Sequence, residues 1–408
     1  MLTKKQVVWI VIVIACIIVL LLTLFIINKN TENHSSQNSN PSMSALSKNI
    51  ELNTAEKGFV AIYSDAMKEG ADLVSYSPTG DIIGVQKLEN GRALYYSTKL
   101  SGNYYITSER QNRHYVLDKS GIIRSFFGPS KYDQDRAIGT SFVKSSGEYL
   151  FFSMNVGNNP QYSPKVYANE LVYSKTGNST LHHIMLPGYF QSVVEKDNKA
   201  YVLYIDGNGE NVGIYVIDLN TNSLLHNYSI PNHKSQEQAY YPVGQNNGSS
   251  LQWFHNRLIV MLDGNRPGIQ DRPVMQIVNP SNGTLDKEIS ISNESFSLYD
   301  TAIHDGNLYI ISNNNKIMVW DDSLQNVKKI QLKQSKDFIQ KKETERGYIS
   351  GTHISGNSID ILYDFVKKKP LDRVREIRRY SLETGSEEAV IPLSYHSDKE
   401  MVRFLGTN

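Results

Sequence analysis

Tyr76-Ser77-Pro78-Thr79-Gly80, Leu117-Asp118-Lys119-Ser120-Gly121 and Tyr173-Ser174-Lys175-Thr176-Gly177 are one phrase written three times. The phrase returns as Ile217-Asp218-Leu219-Asn220-Thr221, Val278-Asn279-Pro280-Ser281-Asn282, Trp320-Asp321-Asp322-Ser323-Leu324 and Tyr380-Ser381-Leu382-Glu383-Thr384-Gly385. Each copy is the apolar end of a strand running into a turn of Asp, Asn, Ser, Pro or Gly. Ser77 to Ser381 takes six steps of about 51 residues. A second phrase, a tight turn feeding an apolar strand, sits upstream in most copies. It reads Ser146-Gly147-Glu148-Tyr149-Leu150-Phe151, Asp197-Asn198-Lys199-Ala200-Tyr201-Val202, Asp305-Gly306-Asn307-Leu308-Tyr309-Ile310 and Ser355-Gly356-Asn357-Ser358-Ile359-Asp360.

Repeats of this length with four short strands apiece are the pattern of propeller blades. The clearest blade is expected over 191–196, 200–205, 212–218 and 223–230. The stretch Asp305-Gly306-Asn307-Leu308-Tyr309-Ile310-Ile311-Ser312 followed by Ile317-Met318-Val319-Trp320-Asp321 looks most like a WD-type blade. Over residues 57–408 the chain resembles the broad superfamily of quinoprotein-like, YVTN-type and WD-repeat β-propellers. That resemblance implies an all-β fold, a seven-bladed β-propeller of four-stranded blades, and no particular activity, because the fold hosts binding proteins, scaffolds and unrelated enzymes. Blade 1 has strands for its second to fourth positions (58–64, 72–77, 81–88) but no innermost one. Met401-Val402-Arg403-Phe404-Leu405 is left over after blade 7. The C-terminal strand is therefore expected to complete blade 1 and close the ring, removing an open sheet edge.

Ahead of the repeats, Val7 to Ile27 is apolar apart from Thr23. At about 1.5 Å per residue it is long enough for a transmembrane helix. Lys4 and Lys5 before it favour a cytoplasmic tail of residues 1–6, with everything after Asn28 outside the cell. A cleaved signal has a shorter apolar stretch. Val13-Ile14-Ala15-Cys16 resembles a lipobox, the alternative being a lipoprotein lipidated at Cys16, yet the chain stays apolar to Ile27. Residues 28–56, rich in Asn, Ser and Thr, read as a flexible linker with a reach of roughly 25–30 Å. A net charge of +1 excludes a dedicated nucleic-acid binder, and 40% apolar residues exclude an acidic disordered chain. Cys16 is the one cysteine, which rules out an intramolecular disulfide and fits a Gram-positive envelope protein.

Turns between strands one and two, and three and four, share one face of a propeller; the other connections share the opposite face. Every long connection falls in the second set: 128–136, 155–167, 231–250, 263–273, 333–347 and 364–374. Long loops on a rigid scaffold are where binding residues collect. Tyr132, Tyr162, Tyr240, Tyr241, Arg266 and Arg272 lie there, of the types that make interface anchors, although Tyr in a Tyr-rich chain also simply packs loops down. Lys367, Lys368 and Lys369 open a basic run to Arg379 that suits a polyanion or anionic lipid, or is merely a solvated face.

The sequence carries no nucleophile elbow, phosphate loop or dinucleotide fingerprint. Asp206-Gly207-Asn208-Gly209-Glu210 starts like a calcium loop but lacks its distal Glu. His182 and His183, adjacent in a strand, point to opposite sides and cannot share a metal. No cofactor is expected. The reading is a non-enzymatic binding or scaffold protein of the cell envelope, docking a protein or wall glycan on its long-loop face. The alternatives are a channel enzyme (lyase, hydrolase or quinoprotein-type) and a sensor subunit working through a membrane partner.

Overall fold

The computed structural model describes residues 50–51, 58–127, 139–159, 166–176, 178, 180–233, 240–242, 250–264, 272–292, 296–367, 373–399 and 401–407. Val7–Ile27, Cys16 and most of the linker lie outside them. Among the described residues no helix is long and apolar enough to cross a membrane.

A short strand β1 (Ile50–Glu51) precedes the repeats. Blade 1 holds β2 (Phe59–Ser64), β3 (Ala71–Tyr76) and β4 (Ile82–Leu88); blade 2 holds β5 (Leu94–Leu100), β6 (Asn103–Ser108), β7 (Arg113–Leu117) and β8 (Ile122–Phe127). Blade 3 is β9 (Thr140–Ser146), β10 (Tyr149–Asn159), β11 (Val166–Lys175) and β12 (His182–Pro187). Blade 4 is β13 (Tyr189–Lys196), β14 (Lys199–Ile205), β15 (Val212–Asp218) and β16 (Ser223–Ile230). Blade 5 is β17 (Tyr241–Pro242), β18 (Leu251–Phe254), β19 (Arg257–Asp263), β20 (Val274–Val278) and β21 (Leu285–Ser290). Blade 6 is β22 (Leu298–His304), β23 (Asn307–Ser312), β24 (Lys316–Trp320) and β25 (Asn326–Gln331). After helix α1 (Lys336–Thr344), blade 7 is β26 (Arg346–Ser355), β27 (Ser358–Val366), β28 (Arg373–Ser381) and β29 (Glu387–Leu393), and β30 (Met401–Thr407) ends the chain.

All seven sheets are antiparallel, with order β30-β2-β3-β4 in the first. The C-terminal strand is thus the innermost strand of blade 1, as expected, with Ile62 opposite Arg403 and Tyr63 opposite Val402. Seven apolar cores join neighbouring blades around the ring. The alternation of strand side chains builds them: Leu203, Ile214 and Val216 face blade 5, while Val202, Tyr215 and Ile217 face blade 3. Middle strands such as β3 and β15 are buried almost throughout, because blades cover both their faces. Outer strands such as β16 are mostly exposed.

The two repeated phrases have separate mechanical roles. The tight turn between the first two strands needs positive φ, at both residues in the type I′ hairpins and at the first glycine alone in Gly147-Glu148 and Gly356-Asn357. Asp197 and Asn198 sit at 54° and 56°, and His255 and Asn256 at 44° and 61°. The phrase ending the third strand supplies a side-chain oxygen that caps its own turn. Asp218 Oδ1 accepts from the N–H groups of Asn220 and Thr221, Asp321 Oδ1 from Ser323 and Gln325, and Ser381 Oγ from Glu383 and Thr384.

The structure corrects three details. Residues 333–347 are not an open loop: α1 lies there, with Ser335 Oγ accepting from the Phe338 N–H at 3.4 Å. Phe338 is fully buried in the core between blades 6 and 7, and that burial holds so short a helix in place. The expected loop 155–167 is largely a projecting hairpin, since Asn155 to Asn159 pair with Asn169 to Val166 past a bulge. Within the linker span, Ile50 and Glu51 pair with Ile123 and Ile122, adding a fifth strand to the outer edge of blade 2.

Candidate functional site

The two faces differ in build. Every described connection between a first and a second strand is a two-residue turn: Ser101-Gly102, Gly147-Glu148, Asp197-Asn198, His255-Asn256, Asp305-Gly306 and Gly356-Asn357. The opposite face carries α1 and the paired arms of the blade 3 hairpin, and at that end β8 stops at Phe127, β16 at Ile230 and β19 at Asp263.

Blade 5 brings three of the sequence candidates to that face. Tyr241 pairs with Asp263 on the inner edge of β19, and β18 takes over the same edge from Leu251, so the innermost strand is split in two. Tyr240 donates its N–H to the Asn232 carbonyl at 2.8 Å, and its ring meets His233 edge-on at 5.7 Å. It packs against the blade 4–5 core and is half-buried, as a loop-packing tyrosine would be. His233 is fixed in turn by Glu288 at 2.7 Å. Arg272 is exposed just before β20, at the same end of the blade. Lys367 is exposed after β27, away on blade 7. Tyr132, Tyr162, Arg266, Lys368 and Lys369 lie outside the described residues.

From Arg373 to Arg379 the basic run is an internal ion network. Arg373 bonds Asp364 at 2.7 Å, Arg379 bonds Asp360 through two nitrogens at 2.7 and 2.9 Å, and Arg378 bonds Glu376 at 2.6 Å and also Glu387. Lys341 of α1 joins at Glu376, 2.5 Å away. These cations anchor strands and the helix, and little of their charge is left to face a polyanion.

Five innermost strands carry a one-residue bulge at the same level, at Tyr95, Ser141, Gln191, Tyr299 and Ser350. A bulge re-aims the side chains around it. Lys144 Nζ donates to Ser192 Oγ at 3.2 Å and to the Leu251 carbonyl at 3.0 Å, joining blades 3, 4 and 5. Gln252 donates to Thr301 at 3.1 Å, and Thr352 to Asp300 at 2.7 Å, carrying the chain of bonds through blades 6 and 7. Burial pushes the Lys144 amine down to about 7, with the Asp300 carboxylate acting the other way. Sequence reading missed this group; its signal was a lysine placed between Val143 and Ser145 in a first strand. Its bonds go to neighbouring blades, which makes it a ring-closing residue. His182 stacks on Tyr173 while His183 bonds Glu170 at 3.2 Å, so the two rings do part as expected. No group of His, Cys, Asp and Glu suited to a metal occurs among the described residues.

Comparison with known proteins bears on the fold alone. No protein-family description matches the chain, and no curated protein matches it in sequence. Among solved structures, an ACO/RPE65 chimera is similar with a TM-score of 0.55 at 8% identity, over 89% of this chain and 97% of that one. A mutant of the Synechocystis apocarotenoid oxygenase gives 0.52 at 6%, over 88% and 94%. The Cps50 (Swd1) β-propeller domain of Myceliophteria thermophila gives 0.47 at 8%, over 86% and 90%. The chain is a seven-bladed β-propeller. At such identities none of these proteins lends it an activity.

Proposed function

We propose that this protein is a membrane-tethered propeller of the cell envelope that docks a protein or wall-glycan partner on its long-loop face. The observation that carries the reading is the contrast between the faces: two-residue turns on one, and a helix, a projecting hairpin and the long spans on the other. A chain under no demand for recognition has little reason to elaborate only one end of seven similar modules. Val7–Ile27 anchors it, six residues stay in the cytoplasm, and the propeller works outside. β2 starts on the plain side, and β1 pairs with the plain-side end of β8.

The test is crosslinking in intact cells with a photoreactive residue at Tyr241 or Arg272 and a plain-face control at Asn220. Adducts to one envelope protein or polymer from the first two positions alone are expected. Equal labelling from Asn220, or none from either long-loop position, overturns the docking face. The rival reading of a channel enzyme has less support, because the half-buried Lys144 and the Asp300 beside it are engaged in holding blades together.

A further inference from the structure

A cavity of about 400 Å³ opens on the long-loop face above blade 1. Its floor is the start of β3 and the end of β4, and the crossover 394–399 from β29 to β30 forms its other wall. Asp72 and Lys87 stand directly opposite each other on these two strands. Opposed residues of an antiparallel pair share a face, and such opposite charges normally bridge. Here they do not. The Asp72 carboxylate, almost wholly buried, accepts from Ser397 Oγ at 3.2 Å and, adding to burial, raises the pKa of the Tyr395 phenol nearby, both on the crossover. Lys87 and Glu89, both exposed at the end of β4, line the same cavity.

The crossover is itself locked. Arg375 donates to the Lys399 carbonyl at 2.9 Å and lies 5.0 Å over the Tyr63 ring, while Lys399 donates to the Glu69 carbonyl at 3.1 Å. A buried frame thus fixes the Asp72 carboxylate beside a preformed space that the exposed Lys87 also lines, an arrangement that suits a ligand carrying both signs.

We propose that this cavity binds a small zwitterion, an amino acid or short peptide with free ends, its ammonium held by Asp72 and Glu89 and its carboxylate by Lys87. The site shares a face with the proposed docking surface but does not depend on it. The probe is the dipeptide Ala-Ala, titrated by calorimetry into the full chain in detergent, beside its N-acetyl and C-amide forms. One-to-one binding of Ala-Ala is expected, with each blocked form at least about tenfold weaker through loss of a charge-assisted bond. Lys87→Met should bind Ala-Ala and its amide equally, and Glu89→Gln should lose much of the preference for the free amine; unchanged melting shows that both rim variants are folded. Absence of saturation at millimolar Ala-Ala, equal binding of the blocked forms, or an unaltered preference in folded Lys87→Met overturns the proposal. Envelope crosslinks from Tyr241 that persist in Lys87→Met would leave the docking reading standing by itself.

Discussion

Two desolvated bases record how the ring treats charge. Lys144 titrates near 7 in the fold and near 10.5 when unfolded. Between those values the unfolded chain binds more protons, so this group makes stability rise with pH. Lys144→Met should remove that rise, and its urea midpoint should gain on the wild type most at pH 7 and below. The full span is worth roughly 5 kcal/mol at the upper bound. His114 is held at about 3 by complete burial, against an ordinary 6.5. Its Nδ1 accepts from the Ser108 N–H at 3.1 Å, and its ring packs on Phe126 and Phe152. Below pH 6.5 the unfolded chain takes a proton that the fold refuses, so stability falls as pH drops toward 3. His114→Phe should cost about 1–3 kcal/mol at pH 7, through the abandoned N–H, yet lose less on acidification to pH 4 in the same assay. Neither base was legible as special in the sequence, because burial is set by the neighbouring blade.

Among elements, the C-terminal strand and the N-terminal strand make a controlled comparison. β30 lies on the innermost position of blade 1, where Val402 is wholly buried in the blade 7–1 core and the ladder runs from Ser64 to Phe59. Val402→Asp puts an unpaired charge there and should cost more than about 3 kcal/mol, seen as a lower urea midpoint with concentration-dependent light scattering from the exposed edge of β2. β1 offers two paired residues at an outer edge. Deleting residues 1–56 should leave a folded propeller and cost less than about 2 kcal/mol. The need for a terminal strand could be read from blade 1 by counting strands. The small strand at 50–51 could not, since two residues in a polar tether carry no periodicity.

For the whole molecule the consequence of closure is cooperativity. An open array of modules unfolds piecemeal from its ends, whereas a closed ring gives each blade two neighbours. In a Trp9→Phe background the remaining tryptophans, Trp253 in blade 5 and Trp320 in blade 6, report one arc of the ring. Their fluorescence and far-UV circular dichroism should follow one urea transition in the closed protein. Removing residues 401–408 should separate them, with the dichroism falling first as blade 1 frays. Coincident curves in the truncated chain would show that the seven cores hold the ring without its final strand.

What the sequence determined by itself is the architecture. Asp218, Asp321 and Ser381 cap turns through local hydrogen bonds, and the Asp197-Asn198 and His255-Asn256 turns need positive φ, so both phrases are written in neighbouring residues and are visible without a partner. Blade boundaries, blade number, the closing strand and the unequal faces all follow from that local code. The tertiary structure alone decided what lies far apart in the chain. It neutralised the run from Arg373 to Arg379 by pairing Arg379 with Asp360 and Arg373 with Asp364, and it drew Lys144 to the Leu251 carbonyl. It also laid Tyr395 and Ser397 across Asp72, more than three hundred residues away in the chain. A turn is chosen by its own side chains; a site is chosen by which strands closure brings side by side.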